Sequence, residues 1–170
     1  MKMFLSVLSI ISSHAFANVL DHTIVKVTGD TFIELEDGSV WEVRAQDTIF
    51  IDKALKASLS FRADESWLSS DVKCHFVNKQ NNDVINVTLV SPPDSYIKNS
   101  HWVAYLEPKK SILFLDNGAI FSLYDNDREY FKNWQSDDFV LTGDYKGWFG
   151  QAKHILFNYR TKEFIFGELH

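Results

Sequence analysis

Along much of this chain apolar and polar residues alternate with a period of two, the spacing of strands that bury one face. The alternation runs through Thr31-Phe32-Ile33-Glu34-Leu35 and again through Val40-Trp41-Glu42-Val43, on either side of Asp37-Gly38. Glycine accepts the positive φ that a tight turn demands, and Asp is its usual neighbour, so this segment predicts a hairpin. A second hairpin is predicted eighty positions on: Ile112-Leu113-Phe114-Leu115, the turn Asp116-Asn117-Gly118, then Ala119-Ile120-Phe121-Ser122-Leu123. Further strands are predicted at VKCHFV (72–77), Val84–Leu89, FVLTG (139–143), Ile155–Tyr159 and Glu163–Phe166, with Arg160-Thr161-Lys162 turning the last pair. Between the first hairpin and Trp67, the stretch Asp52 to Ser58 predicts a helical turn or two.

The two hairpins belong to a longer echo. Trp67 is followed four residues later by Asp71 and then by VKCHFV; Trp134 is followed by Asp138 and then by FVLTG. From turn glycine to Trp is 29 residues in the first copy and 16 in the second, which predicts an insertion of 13 in the first, near residues 44–66. The chain therefore reads as two diverged β units, residues 18–90 and 99–170. Ser91-Pro92-Pro93-Asp94 opens a linker over 91–98, since prolines lack an amide donor and end strand pairing. The expected fold class is all-β: two tandem small antiparallel barrels, SH3-like or OB-like, in which closure removes exposed edges. A single β-sandwich is the alternative.

The element L-x-D-G-S-x-W is carried by Leu35, Asp37, Gly38, Ser39 and Trp41. The second copy has Leu115, Asn117, Gly118, Trp134, Asp138, Asn158, Thr161 and Glu163, with Phe121 where the first has Trp41. Taken together these resemble an uncharacterised exported bacterial β-module, similar in fold to small periplasmic SH3-like or OB-like proteins. The first copy has no clear counterpart of the terminal N-x-x-T-x-E pattern. The resemblance implies a fold and no activity.

The chain opens with MKMFLSVLSIISSHAFA, in which Lys2 precedes a short apolar core and Ala15-Phe16-Ala17 supplies small residues at −3 and −1. That order predicts a cleaved signal peptide over residues 1–17 and an exported protein, periplasmic or secreted. The apolar run is shorter than the ~20 residues of a membrane helix, so no integral span is expected. Residues 18–170 carry 16 Lys and Arg against 23 Asp and Glu, and neither half is basic, which argues against nucleic acid as a partner. With Cys74 as its one cysteine the chain has no internal disulfide, and its core must hold it together.

Candidate chemistry is sparse. His22, His75, His101, His154 and His170 show no metal-ligand spacing, and no nucleophile motif is present, so no catalytic residue, metal or cofactor is expected. Asp125-Asn126-Asp127 has Tyr130 and Ser136 where a calcium loop needs Gly and Glu, and reads as a solvated turn. The unusual feature is aromatic: residues 18–90 hold 6 Phe, Trp and Tyr, whereas 91–170 hold 17. GDYKGWFGQ, with Tyr145, Trp148 and Phe149, places flat rings between glycines, and together with Trp134 these are the candidate ligand contacts. The expected function is a non-catalytic exported module binding a protein, peptide or envelope glycan through the second unit. Its rivals are a structural or self-assembling spacer and an exported hydrolase whose site is built from residues distant in sequence.

Overall fold

The structure, a computed structural model, describes residues 20–55, 57–64, 73–94, 96, 99–124, 128–145 and 153–170. The first half holds β1 (Ile24–Thr28), β2 (Phe32–Leu35), β3 (Val40–Val43), a 3-10 turn (Ala45–Phe50) that runs into α1 (Ile51–Ala54), β4 (Leu59–Asp64), β5 (Lys73–Asn78) and β6 (Val84–Ser91). The second holds β7 (His101–Glu107), a 3-10 turn (Pro108–Lys110), β8 (Ile112–Leu115), β9 (Ile120–Leu123), α2 (Arg128–Phe131), β10 (Phe139–Asp144), β11 (His154–Asn158) and β12 (Phe164–Leu169).

Both halves are six-stranded antiparallel sheets with one strand order, β1-β2-β3-β6-β5-β4 and β7-β8-β9-β12-β11-β10. In the second, β10 also pairs with β7 through Phe139↔Trp102 and Val140↔His101, closing a barrel in Greek-key order. In the first, the corresponding contact is the isolated bridge His22↔Leu59, with both amide–carbonyl bonds at 2.8 Å. The chain is thus all-β, with two small antiparallel units in tandem.

The hairpin turns are bonded alike. Gly38 (φ 84°) donates to the Leu35 carbonyl and Gly118 (φ 85°) to that of Leu115, each at 3.0 Å. The likeness continues to the last strand pair of each unit. Asn78 and Asn158 each accept through Oδ1 from the amide two residues on, Gln80 or Arg160, at 2.9 Å. Each also has a left-handed residue four positions on, Asn82 or Lys162. NKQNND (78–83) is therefore the first unit's counterpart of NYRTKE (158–163), with Asn81 doing for the Asp83 amide what Thr161 does for that of Glu163.

This correspondence corrects the match drawn through the tryptophans. Trp134 and Asp138 precede β10, the fourth strand of its unit, whereas Lys73 to Val77 of VKCHFV lie in β5, a fifth strand; Trp67, Asp71 and Val72 lie outside the described residues. From Gly38 to Leu59 is 21 residues, and from Gly118 to Phe139 is also 21, so strand order leaves no 13-residue insertion there. The short helix between third and fourth strands occurs in both units: α1 buries Ile51 and Ala54, and α2 with the turn after it buries Phe131 and Trp134.

The units share a core. Val140, Leu156 and Ile165 pack inside the second barrel with Val103, Leu113, Leu115 and Phe121. Their neighbours Leu141, Ile155, Phe157, Phe164 and Phe166 join Trp41, Phe61 and Phe76 of the first sheet. Successive strand residues face opposite ways, so β10–β12 are buried on both faces, and their near-continuous apolar runs follow from that. Trp41 lies 5.9 Å from Phe157 and 6.2 Å from Tyr159 between ring centroids, and Phe61 stacks on Phe164 at 6.4 Å.

A buried polar chain crosses the same seam. Trp41 Nε1 donates to Ser39 Oγ at 2.8 Å, Ser39 Oγ donates to Asp37 Oδ1 at 2.6 Å, and the Tyr159 hydroxyl donates to Asp37 Oδ2 at 2.5 Å. Burial, reinforced by the charge of Asp37, pushes the Tyr159 pKa well up, so its hydroxyl keeps the proton it donates. Ala119 and Phe121 replace Ser39 and Trp41 in the second hairpin, which has no such chain to complete. Tyr159→Phe should cost about 1–3 kcal/mol, because it removes a donor from a buried carboxylate while keeping the ring. Urea midpoints of the two proteins measure this; an unchanged midpoint would show that Asp37 finds another donor.

Candidate functional site

The linker leaves β6 at Ser91, and its Tyr96 stands at the line where the second barrel closes. Pro93 is buried, and Tyr96 lies against Trp102 and Phe139, one of the two residue pairs that join β7 to β10. Its ring meets Trp102 edge-on at 4.7 Å and 82°, and Phe139 at 4.9 Å. Trp102 and Phe139 are partly exposed, and Tyr96 is 58% exposed, so the three form an aromatic surface open to solvent. Beside it runs a groove of about 310 Å³ bordered by Pro92, Pro93, the turn Gln135–Phe139, Tyr159 and Arg160.

The floor of the groove is held by local hydrogen bonds. Asp138 is buried and accepts from the Gln135 amide (2.9 Å), Asn158 Nδ2 (2.7 Å) and Arg160 Nη2 (2.8 Å). Burial opposes its ionisation, yet the Arg160 guanidinium and these two donors hold its carboxyl below the usual range. Arg160 Nη2 also donates to the Asn133 carbonyl, which ties the turn after α2 to the β11–β12 turn. The side chains of Gln135, Ser136 and Asp137 remain exposed on this frame.

The residues expected to contact ligand are placed differently from one another. Trp134 is 5% exposed and packs in the second barrel with Phe131 and Val140, so its expected role is corrected to that of a core residue. Its turn carries it inward just as α1 carries Ile51 in the first unit. Tyr145 is half-buried, its ring 4.5 Å from that of Phe166. Trp148 and Phe149 lie outside the described residues. Tyr96, Trp102 and Phe139 were not among the expected contacts. Their signal is the excess of rings after Pro92-Pro93, with β7 and β10 meeting beneath them.

The described residues include two equivalent His–carboxylate pairs. His22 Nδ1 lies 3.0 Å from Glu36 Oε1, and His101 Nδ1 lies 3.1 Å from Asp116 Oδ1. Each acid also accepts the amide next to its histidine, Thr23 or Trp102, and so pins the start of one unit to its first hairpin. A pair repeated in this way, once in a buried setting, reads as a structural clamp. His154 Nδ1 accepts the Leu169 amide at 3.0 Å, and burial lowers its pKa despite nearby Asp144 and Glu168. Burial pushes the Cys74 thiol up to about 12, which keeps it protonated and unreactive at neutral pH. Among the described residues no group of three His, Cys, Asp or Glu is placed to hold a metal ion, and no helix is long and apolar enough to cross a membrane. Asp125-Asn126-Asp127 lies outside those residues. Compared with known proteins, the chain matches no family model, no curated protein and no solved structure.

Proposed function

We propose that this is an exported, non-catalytic binding protein whose second unit holds a saccharide of the cell envelope on the Tyr96–Trp102–Phe139 surface. The observation that carries the reading is the pairing of open aromatic rings with a groove that sets Gln135, Asp137 and Arg160 among apolar residues on a hydrogen-bonded frame. A sugar presents apolar C–H faces and a rim of hydroxyls. Rings cover the faces, while Gln135, Asp137 and Arg160 offer donors and acceptors to the rim. Tyr145, Trp148 and Phe149, on the same unit, remain candidates for a second contact. The shared core of the two units favours a rigid spacer as the alternative role.

Calorimetric titration of residues 18–170 with envelope oligosaccharides tests the proposal. Tyr96→Ala should weaken binding about tenfold or more, a loss of about 1.4 kcal/mol or more, with little change in melting because the ring is largely exposed. Retention of Pro-rich peptides instead of saccharides, or unaltered saccharide binding by Tyr96→Ala, would overturn it.

A further inference from the structure

His22 precedes β1 yet touches both units. Its Nε2 lies 2.7 Å from the Thr142 carbonyl oxygen on β10, across the seam, and its Nδ1 faces Glu36 in the β2–β3 hairpin. A carbonyl only accepts, so Nε2 carries a proton. A carboxylate also only accepts, so the contact with Glu36 is completed when Nδ1 carries a second proton and the ring is an imidazolium. The residue is 5% exposed. The charged groups facing it are Glu36 and Asp37, both anionic; β5 contributes the Phe76 ring, edge-on at 6.3 Å, and β10 a backbone carbonyl. The second unit repeats the clamp with His101 and Asp116, but that pair is more exposed and lies within one unit.

We propose that His22 is a proton-dependent latch between the two units: as an imidazolium it ties the first hairpin to β10, and loss of its Nδ1 proton breaks its contact with Glu36 and leaves an uncharged ring on the Thr142 carbonyl, which weakens the seam. Burial works against the charge, but Glu36, the Thr142 carbonyl and Asp37 outweigh it and raise the His22 pKa. Burial likewise opposes the Glu36 carboxylate, and His22 with the Thr23 amide more than offsets this and lowers its pKa. A group whose pKa is raised on folding contributes stability fully present below its unfolded pKa, about 6.5 for His, and lost as pH rises through the folded value. Glu36 acts at the other end: its contribution is present above its unfolded pKa and is lost as pH falls through the lowered folded value. The seam is thus tightest in mildly acidic solution and loosens as the medium turns alkaline.

Melting of the full chain between pH 5.5 and 9 tests the latch, with His22→Gln and, as a control within one unit, His101→Gln. The wild type and His101→Gln should each lose several degrees above pH 6.5, whereas His22→Gln should start lower and stay flat over that range. Amide protection at Thr142 and Gly143, corrected for intrinsic exchange, should fall over the same range in the wild type. An alkaline slope in His22→Gln equal to that of the wild type, or constant protection on β10, would overturn the proposal. If His22→Gln does not fold, a ring-proton NMR titration of wild-type His22 decides: a pKa above 6.5 supports the latch, and one at or below it refutes it.

Discussion

Replacing Trp41 with alanine should cost about 3–5 kcal/mol, a large part of the ~5–15 kcal/mol that holds a typical domain together. Trp41 is fully buried where the two units meet, against Phe61 and Phe76 of its own sheet and Phe157 and Tyr159 of the other. Removing the indole opens a cavity walled by strands of both units, which neither can refill without leaving its own register. It also takes the Nε1 donor from Ser39, at one end of the polar chain that reaches Tyr159. Trp41→Phe should recover part of the loss, since a ring returns to the cavity while the donor does not. Guanidinium unfolding of the three proteins measures this. A loss below about 1.5 kcal/mol for Trp41→Ala would mean that the seam repacks and that the units do not depend on one core.

Gly143→Ala should be nearly as damaging, for a different reason. A Cβ at this position would stand 2.3 Å from the Phe61 carbonyl oxygen and 2.9 Å from its carbon, both backbone atoms of β4. The backbone of β10 approaches β4 so closely here that only a hydrogen fits, and relief requires the two units to move apart. Overpacking of this kind costs about 1–3 kcal/mol where side chains can yield; with backbone on both sides we expect the upper end of that range or more. Gly118→Ala is the informative comparison. Its Cβ would meet open space, and its cost, about 1–2 kcal/mol, comes from the left-handed φ alone. Equal midpoints for the two variants in urea would show that β4 and β10 are not held at the distance described.

A good part of the architecture is legible in the residues themselves. The alternation on either side of Asp37-Gly38 and Asn117-Gly118 specifies two hairpins, because the turn needs a left-handed residue and the strands need a face apiece. β1, β4 and β7 are not among the strands the pattern assigns, although Leu59-Ser60-Phe61-Arg62-Ala63 alternates cleanly. β1 and β4 are the edges of the first sheet and β7 is one of the two strands that close the second barrel, so each pairs with the strand that follows it but is completed by contacts the local pattern does not carry. The counterpart of NYRTKE escaped pattern matching because Asn81 stands for Thr161 and Asp83 for Glu163. The hydrogen bonds survive the change of letters.

The site was less legible than the fold. Trp134 and Tyr96 are both aromatic residues in polar surroundings, and nothing local distinguishes them. One is carried inward by the turn after α2, and the other lies on Trp102 at the surface. His22 and His101 likewise look like isolated histidines until the hairpin brings Glu36 or Asp116 beside each.

By itself the sequence determined an all-β chain, two hairpins of one design and a proline break between two related halves, since turn chemistry and two-residue periodicity act over a few neighbours. Only the tertiary structure decided that the halves share a core and that Trp41, Asp37 and His22 reach across to Tyr159 and β10. It also decided which surplus rings face solvent. Periodicity divides a strand into two faces but says nothing of what covers each, and on β10–β12 both faces are covered, one by their own barrel and one by the other unit.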